Sequence, residues 1–330
     1  MSEISRRVAL GALATLGCSR RSEASSGAAS APVSASAPVT VAPTASTVVD
    51  AAASAAPIAI GPRAETHEWD LGARGRAVVC IAPAATRSSA DRYPLVVALH
   101  GRGESVKGPA RGPWGWPRDY ALVRAADRIV APPLSRADYE GLVEPARLAR
   151  VNERLRARPF GGLVVVCPYL PDFDWSRPPR DMVDDYARFV LEELVPRARR
   201  ELPVLPESRH TGIDGVSLGG AMGIRVGFRN AAAFGAVGVL QCALNPGQVE
   251  ELTELARRAR AANPTLAIRV ATSNDDAFVH SNHALADSLR AANVPRQFED
   301  HLGPHDYVWN RGPGSYELLL FHDDALRREK

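Results

Sequence analysis

Short runs of consecutive apolar residues alternate along this chain, from about residue 64, with longer segments in which charged residues separate the apolar ones. A continuous apolar run bounded by turn residues is typical of a strand that is buried on both faces of a sheet. Such runs predict strands at Arg76–Ala82, Tyr93–Gly101, Gly162–Pro168, Phe234–Leu240 and Leu266–Thr272, with a further strand leading from His210 into a tight turn and a short one beginning at Gln297.

The segments between these runs have the spacing of amphipathic helices. In Met182–Leu202, for example, apolar residues recur on one face of a helix with charged residues between them. Similar patterns predict helices at Val249–Ala262, Val279–Ala292 and Tyr316–Arg328. Because strands and helices alternate, we predict an α/β fold with a mainly parallel central sheet and helices on both faces.

One connection is far longer than the others. About 60 residues separate the strand that ends at Gly101 from the one that begins at Gly162, whereas connections in compact α/β domains are usually short. This insertion, residues 102–160, contains Trp114 and Trp116. We expect it to form a lid or a wall of a substrate pocket, with the two tryptophans as pocket residues that favour an aromatic or hydrophobic acyl group. A packed structural decoration is the alternative.

Residues 1–21 have the pattern of an export signal. The pair Arg6-Arg7 precedes an apolar run, Ala9–Gly17, that is too short to span a bilayer. The pair resembles a twin-arginine signal. The segment Leu16-Gly17-Cys18 resembles the lipobox of bacterial lipoproteins, in which the cysteine is lipidated, although Thr15 stands where that motif prefers leucine.

Residues 22–62 consist mainly of alanine, serine, proline, threonine and valine. Such a segment cannot bury enough apolar surface to offset the entropy lost on ordering, so we predict a disordered linker. The folded domain then comprises residues 63–330. A signal, a linker and a lipidation site at Cys18 together predict an exported protein of the bacterial cell envelope, lipid-anchored or periplasmic, or a secreted one. Any membrane attachment would be through that lipid alone.

Composition limits the classes of function. The 330 residues are 45% hydrophobic with a formal net charge of +3, and they show no basic stripe with interleaved aromatic residues. This argues against a nucleic-acid partner. Apart from Cys18, the cysteines Cys80, Cys167 and Cys242 lack metal-ligand spacing. We expect them to be buried apolar residues, with a single disulfide as the alternative in an exported protein.

The segment after His210 contains the pattern Gly215-x-Ser217-x-Gly219. A serine in this pattern occupies a strained turn between a strand and a helix, where Cβ atoms on the flanking residues would collide with neighbouring backbone. The turn exposes the hydroxyl, and the N-terminus of the following helix stabilises negative charge nearby. Ser217 is therefore the candidate nucleophile of a nucleophile elbow. An ordinary structural turn is the alternative.

A nucleophilic serine needs a base and a group that orients the base. His305 follows the last predicted strand and precedes the C-terminal helix, so it is expected on a loop at the strand ends. His301, inside the strand-like segment, is the weaker candidate. The acid is expected on the turn that follows Thr272. Asp276 is preferred there and Asp275 is the alternative, since aspartate can also cap the next helix.

Backbone N–H groups are expected to complete such a site by stabilising a developing oxyanion. Leu218 follows the nucleophile and begins a helix, so its N–H is the first candidate. The second is expected from the segment His100–Gly103, whose glycines let the main chain approach a substrate. There the N–H of Arg102 is preferred and that of Gly103 is the alternative, while His100 is expected to pack beneath the loop.

The order Ser217, Asp276, His305 is that of the α/β-hydrolases. The region from Tyr93 to Trp309 resembles the esterase branch of that superfamily, which includes enterochelin-esterase-like, esterase-D-like and feruloyl-esterase-like enzymes. The segments that carry the resemblance are Leu99–Gly101, the helix from Phe189 to Pro196, Asp214–Gly220, Phe234–Val237, Asn274–Phe278 and Gly303–Tyr307. Two features depart from the family pattern: Ser273 replaces the usual glycine before the acid turn, and the long insertion is not typical, so no substrate is carried over.

The resemblance implies an α/β-hydrolase fold and hydrolysis of carboxylic esters, small or polymer-linked, through a triad of Ser217, His305 and Asp276. It also implies an acyl-enzyme intermediate and neither metal nor organic cofactor. We therefore expect an exported serine hydrolase that acts as a carboxylesterase. One alternative is a peptidase of the prolyl-oligopeptidase type, although no propeller-sized domain precedes the hydrolase region here. Another is a non-catalytic envelope-binding module that keeps the fold.

Overall fold

The computed structural model describes residues 63–85, 88 and 90–327. The predicted export signal, Cys18 and the predicted linker lie outside the described residues. None of the helices in the described part of the chain is both long enough and apolar enough to cross a membrane.

The described strands form one sheet in the order β1-β2-β4-β3-β5-β6-β7-β8. β2 runs antiparallel to both of its neighbours, and every pair from β4 to β8 is parallel. The strands are β1 (Glu65–Asp70), β2 (Arg76–Ala82), β3 (Leu95–Leu99), β4 (Leu163–Pro168), β5 (Thr211–Gly215), β6 (Ala236–Leu240), β7 (Ala267–Asp275) and β8 (Gln297–Pro304). This confirms the predicted α/β class with a mainly parallel sheet.

The helices lie largely where the apolar spacing predicts them. A π-helical turn, Phe189–Leu194, joins α4 to α5 in one long helical segment. The helices are α1 (Arg102–Ser105), α2 (Leu122–Ile129), α3 (Pro145–Ala157), α4 (Arg180–Arg188), α5 (Val195–Glu201), α6 (Leu218–Arg229), α7 (Val249–Ala262), α8 (Val279–Ala291), α9 (Tyr307–Trp309) and α10 (Ser315–Leu326).

Two hydrophobic cores flank the sheet, because successive side chains of a strand point to opposite faces. In β3, Leu95 and Val97 belong to one core, whereas Val96 belongs to the other. Helices α4 to α8 cover the first core, and α2, α3 and α10 cover the second. The central strands are therefore shielded from water on both sides, as continuous apolar runs predict.

The insertion at residues 102–160 contains α1, α2 and α3. Apolar residues of α2 and α3, among them Ile129 and Leu155, are buried in the same core as Leu319 of α10. This part of the insertion is therefore a structural layer of the domain, which corresponds to the alternative considered from the sequence. Only its first turn and Tyr120 line the cavity described below.

The cysteines in the described part of the chain, Cys80, Cys167 and Cys242, are free and buried. Burial raises the pKa of the Cys80 and Cys242 thiols to about 12. They are therefore protonated apolar residues of the interior, as expected, and the disulfide alternative is wrong for them.

Candidate active site

Ser217 stands between β5 and α6 in a strained backbone conformation, with φ of 57° and ψ of −116°. The two glycines of the pattern make this turn sterically feasible. A Cβ on Gly215 would lie 2.3 Å from the backbone of Gly219, and a Cβ on Gly219 would lie 2.3 Å from the carbonyl oxygen of Leu99. Only glycine fits at these positions, as the sequence pattern predicts. A strained non-glycine residue of this kind is common at functional sites.

His305 and Asp276 meet at the C-terminal ends of β8 and β7. The two are joined by a hydrogen bond of 2.8 Å between His305 Nδ1 and Asp276 Oδ1. Because a carboxylate only accepts, Nδ1 is the donor in this hydrogen bond, and Nε2 is the ring nitrogen that can accept a proton from another group.

Asp276 is held by further donors. The Thr272 hydroxyl donates to its Oδ2 at 2.7 Å, and the Phe278 N–H donates to its Oδ1 at 3.0 Å. The aromatic ring of Phe278 also packs edge-on against the His305 imidazole, with ring centroids 5.3 Å apart. Asp275, the alternative acid, is exposed to solvent and takes no part in this arrangement.

A cavity of about 250 Å³ brings the candidate nucleophile and base together. Ser217 and His305 both line it, as do residues at the start of the insertion and around α9. The lining residues are Gly101, Arg102, Gly103, Glu104, Tyr120, Val216, Ser217, His305, Asp306, Tyr307 and Asn310. The arrangement places a strained serine and an aspartate-bound histidine around one small space that is open to solvent.

The candidate oxyanion donors lie at two helix starts. Leu218 is the first residue of α6, so its N–H has no acceptor within the helix. Arg102 is the first residue of α1, and it lines the cavity together with Gly103. The Arg102 side chain points to Asp172, with Nε 3.0 Å from a carboxylate oxygen, and is largely exposed. Because the guanidinium group is paired with Asp172, the backbone N–H of Arg102 is the group of this residue that stays a candidate oxyanion donor.

The two predicted pocket tryptophans lie elsewhere. Trp116 is fully buried and its Nε1 donates to the Leu99 carbonyl oxygen at 3.0 Å. The Trp114 Nε1 donates to Glu68 Oε1 at 2.9 Å, and its ring lies under the Arg118 guanidinium. Neither residue lines the cavity that contains Ser217. The expectation of a tryptophan-lined pocket is corrected accordingly, because both indoles are engaged in packing the insertion onto the domain.

Two other histidines near the site are structural. His100 is fully buried, with Nε2 accepting from the Leu170 N–H and Nδ1 donating to the Gly101 carbonyl oxygen, each at 3.0 Å. Burial lowers the pKa of His100 to about 4, so the ring is neutral. His301 is buried within β8, and its Nε2 lies 3.8 Å from Glu317 Oε1. Neither is hydrogen-bonded to Asp276.

Gln241 is a residue near the site that the sequence does not single out. It follows β6 with φ of 43° and is completely buried. Its Nε2 donates to the Ser273 hydroxyl oxygen at 2.6 Å and to the Pro304 carbonyl oxygen at 3.0 Å. Ser273 is the residue that replaces the usual glycine of the family pattern. Its hydroxyl is the feature of the sequence that could have indicated a hydrogen-bonding partner such as Gln241 at this position.

The described residues contain no cluster of three or more histidine, cysteine or acidic side chains that could hold a metal ion. No protein-family model matches the chain, and no curated protein matches its sequence.

Solved structures show a clear likeness in fold. A ferulic acid esterase is 16% identical with a TM-score of 0.57, over 80% of this chain and 98% of that one. A fluorophosphonate-binding serine hydrolase of Staphylococcus aureus, FphF, is 14% identical with a TM-score of 0.56, over 79% of this chain and 99% of that one. The S-formylglutathione hydrolase FrmB of the same species is 16% identical with a TM-score of 0.52, over 79% and 98%. Together with the strand order, these likenesses identify the fold of this chain as that of the α/β-hydrolases.

Proposed function

We propose that this protein is a serine hydrolase that cleaves carboxylic esters, with Ser217 as nucleophile, His305 as base and Asp276 as the group that orients the base. The observation that carries the proposal is the hydrogen bond between His305 Nδ1 and Asp276 Oδ1, because the His305 that Asp276 holds lines the same cavity as Ser217. The strained backbone of Ser217 adds support, because such strain is retained where the surrounding structure enforces it.

In the first half of the proposed reaction, Ser217 Oγ attacks the carbonyl carbon of the ester while His305 Nε2 accepts the hydroxyl proton. Asp276 stabilises the imidazolium that forms, because its carboxylate accepts from Nδ1. The carbonyl oxygen becomes an anion, which the N–H groups of Leu218 and Arg102 stabilise. Each such donor is worth about 10²- to 10³-fold in kcat. The tetrahedral intermediate then expels the alcohol, which takes the proton from Nε2.

In the second half, water attacks the acyl group on Ser217. His305 Nε2 accepts a proton from that water, and the same backbone donors stabilise the second tetrahedral intermediate. The carboxylic acid is released and Ser217 recovers its proton from the imidazolium. Every proton in the proposed reaction is transferred through His305 Nε2, because Nδ1 is hydrogen-bonded to Asp276.

The proposed substrates are small-molecule or polymer-linked esters. The names of structurally similar proteins, ferulic acid esterase and S-formylglutathione hydrolase, support an acyl-transfer reaction on esters or thioesters. The cavity of about 250 Å³ beside Ser217 favours a small group on at least one side of the scissile bond. An aromatic or hydrophobic acyl group has no support from Trp114 or Trp116.

The test is the turnover of p-nitrophenyl acetate and butyrate by the purified protein, compared with the matching p-nitroanilides. We expect ester turnover that Ser217→Ala abolishes, with much slower turnover of the amides. The matched control is Ser135→Ala, which removes an exposed hydroxyl that bonds to Asp138. Faster amide than ester turnover would indicate a peptidase, and no turnover of either would indicate a non-catalytic module.

We propose further that the protein is exported and attached to the cell envelope by a lipid on Cys18. The proposal is supported by the sequence alone: the arginine pair, the short apolar run, the lipobox-like segment and the linker at residues 22–62. Expression of the full chain in a bacterium fed a tritiated fatty acid tests it. Label should appear in the wild type and disappear in Cys18→Ser. Replacing both Arg6 and Arg7 by lysine should leave the protein in the cytoplasm.

A further inference from the structure

A buried carboxylate lies beside the proposed oxyanion loop, residues 101–103. Glu104 has 1% of its surface exposed, and it lines the same cavity as Ser217. A carboxylate that is removed from water is stable only where donors satisfy it. Its donors therefore show which parts of the chain it joins.

Three side chains donate to this carboxylate. The Tyr120 hydroxyl donates to Oε2, the Tyr307 hydroxyl donates to Oε1 at 2.6 Å, and the Lys107 ammonium donates to Oε1 at 3.1 Å. We call these four residues the Glu104 cluster. Glu104 and Lys107 come from α1 and the turn after it, Tyr120 from the segment just before α2, and Tyr307 from the start of α9. The cluster thus joins the oxyanion loop to a later part of the insertion and to the segment that carries His305.

Tyr120 also contacts the backbone of the loop. Its hydroxyl oxygen accepts a hydrogen bond from the Gly101 N–H at 3.1 Å, and its ring packs edge-on against Trp116 with centroids 5.1 Å apart. Burial and the Glu104 charge raise the pKa of Tyr120 well above its usual value, so the phenol keeps its proton. The Tyr120 hydroxyl therefore accepts from the Gly101 N–H and donates to Glu104, and these two hydrogen bonds fix the orientation of the hydroxyl.

The loop has little space in which to move. A Cβ on Gly101 would lie 3.2 Å from the Tyr120 hydroxyl oxygen, 3.6 Å from Glu104 Oε2 and 3.7 Å from the Cβ of Ser217. A Cβ on Gly103 would lie 2.9 Å from the Tyr307 hydroxyl oxygen. The cluster therefore touches the loop at both of its glycines, and at Gly101 the same backbone also approaches the nucleophile.

We propose that Tyr120 and Glu104 are positioning residues that hold the oxyanion loop, through the Gly101 N–H, so that the N–H of Arg102 faces the anion formed on the substrate. This inference rests on the proposed function, because it assigns the cluster to the oxyanion site of that reaction. Oxyanion donors accelerate a reaction because they are oriented before the charge develops. A donor displaced by about 1 Å loses much of that effect.

The charges in the cluster fit this role. An unpaired carboxylate near the site would repel the oxyanion. Lys107 bonds to Glu104 and offsets part of this charge, since the same ammonium also donates to the carboxylate of Asp119 at 2.8 Å. The Tyr120 and Tyr307 hydroxyls donate to the two oxygens of Glu104, so Glu104 acts as an acceptor that anchors two phenols rather than as a charge aimed at the substrate.

The decisive variant is Tyr120→Phe, which keeps the ring and leaves the Gly101 N–H without its acceptor. We expect kcat for p-nitrophenyl butyrate to fall by about 10- to 100-fold, with KM within about 2-fold of the unsubstituted protein. A trifluoromethyl ketone forms a tetrahedral oxyanion adduct with an active serine. Its inhibition constant should rise by the same factor as kcat/KM falls, whereas binding of the acid product should not change.

Tyr186→Phe is the matched control. Tyr186 is also a buried tyrosine, and its hydroxyl donates to the Tyr169 carbonyl oxygen at 3.1 Å, but it does not line the cavity. This variant should lose no activity. Glu104, the acceptor of the Tyr120 hydroxyl, gives a second pair of variants. Glu104→Leu removes the acceptor and should lose activity, whereas Glu104→Gln keeps an oxygen that accepts from Tyr120 and should retain most of the activity.

The outcomes separate cleanly. If Tyr120→Phe keeps kcat and ketone affinity within about 2-fold of the unsubstituted protein, the inference is wrong, even if the variant unfolds at a lower temperature. If Tyr186→Phe loses as much activity as Tyr120→Phe, the effect is general packing and the inference is again wrong. If the unsubstituted protein neither hydrolyses esters nor binds the ketone, the proposed function itself fails.

Discussion

Gln241 holds the residue that precedes His305: its Nε2 donates to the carbonyl oxygen of Pro304 at 3.0 Å. The same nitrogen donates to the Ser273 hydroxyl oxygen at 2.6 Å. Because a carbonyl oxygen only accepts, the atom that contacts Pro304 must be the amide nitrogen, which fixes the orientation of the side chain. One buried amide thus ties the end of β7, which leads to Asp276, to the loop that carries His305.

Replacing this amide should weaken the proposed reaction. Gln241→Met keeps the length of the side chain and removes both hydrogen bonds, so the His305 loop loses a fixed point. We expect kcat for p-nitrophenyl butyrate to fall by about 10-fold or more, since small displacements of reacting groups are costly. The control is Asn263→Leu, which removes an amide that donates to the carbonyl oxygens of Ala231 and Phe234. Equal losses in the two variants would show that the Gln241 contact has no special role.

The two neighbouring aspartates should differ sharply. In Asp276→Asn the side-chain amide can donate to the imidazole, which then presents the wrong nitrogen to Ser217, so kcat should fall by about 10³- to 10⁴-fold. Asp275→Asn changes an exposed carboxylate and should leave kcat within about 2-fold. Steady-state rates of both variants at pH 7.5 decide the matter. A large loss of kcat in Asp275→Asn with activity retained in Asp276→Asn would show that Asp275, rather than Asp276, orients His305.

A buried ion pair beneath the elbow should matter for stability. Arg269 Nη2 donates to both carboxylate oxygens of Asp214, at 2.7 and 2.9 Å, and both side chains are fully buried. His322 Nε2 donates to the same carboxylate at 2.8 Å. Arg269→Met leaves the Asp214 charge without its cation, and the free energy of unfolding should fall by about 3–5 kcal/mol.

Urea denaturation of Arg269→Met and of the double variant Asp214→Asn, Arg269→Met measures this effect. The double variant removes the stranded charge, so it should be more stable than Arg269→Met alone. A loss of less than about 1 kcal/mol in Arg269→Met would show that the pair contributes little.

Three buried histidines should make stability depend on pH. Burial lowers the pKa of His100 to about 4 and also lowers the pKa values of His301 and His322. Below about pH 6.5 the unfolded chain binds protons at these positions, whereas the folded chain at first does not. The contribution of these three histidines to the free energy of unfolding is therefore complete above about pH 6.5. It is lost as the pH falls towards their pKa values in the folded chain. Each histidine contributes up to about 1.4 kcal/mol per pH unit.

Urea midpoints at pH 7.5, 6.5 and 5.5 check the sign. His322→Gln retains a donor for Asp214 and should reduce the slope of the free energy of unfolding against pH by the equivalent of up to one proton. His280→Gln changes an exposed histidine and should leave that slope as it is. A free energy of unfolding that is constant or that rises between pH 6.5 and 5.5 would contradict this account.

Much of the arrangement around Ser217 can be predicted because parallel strands end at one edge of a sheet. Ser217, Asp276 and His305 follow the ends of β5, β7 and β8, and the length of the turn after Thr272 favours Asp276 over Asp275 as the aspartate that reaches His305. The requirement for glycine at positions 215 and 219 can also be predicted from the sequence, because it depends on the backbone packed around a single tight turn.

Contacts made by the insertion could not be predicted. The large side chains of Trp114 and Trp116 favour a pocket in the sequence, but whether an indole packs into the core or lines a cavity depends on the path of the chain around it. Tyr120, only a few residues later, does reach the cavity. Its partner Glu104 looks like an ordinary helix residue in sequence, because nothing local marks a carboxylate that will be buried.

β1 escaped prediction for a related reason. It lies at the edge of the sheet and is exposed along most of its length, with only Trp69 buried. An edge strand needs no continuous apolar run, so Glu65–Asp70 shows no strand signal of the kind used for the central strands.

Covalent labelling of the full chain with a fluorophosphonate tests the central claim most directly. The account predicts one probe molecule per chain, located by peptide mass spectrometry on Ser217, with no labelling in Ser217→Ala and much slower labelling in His305→Ala. An adduct that persists in Ser217→Ala, or no adduct on a folded protein, would contradict it.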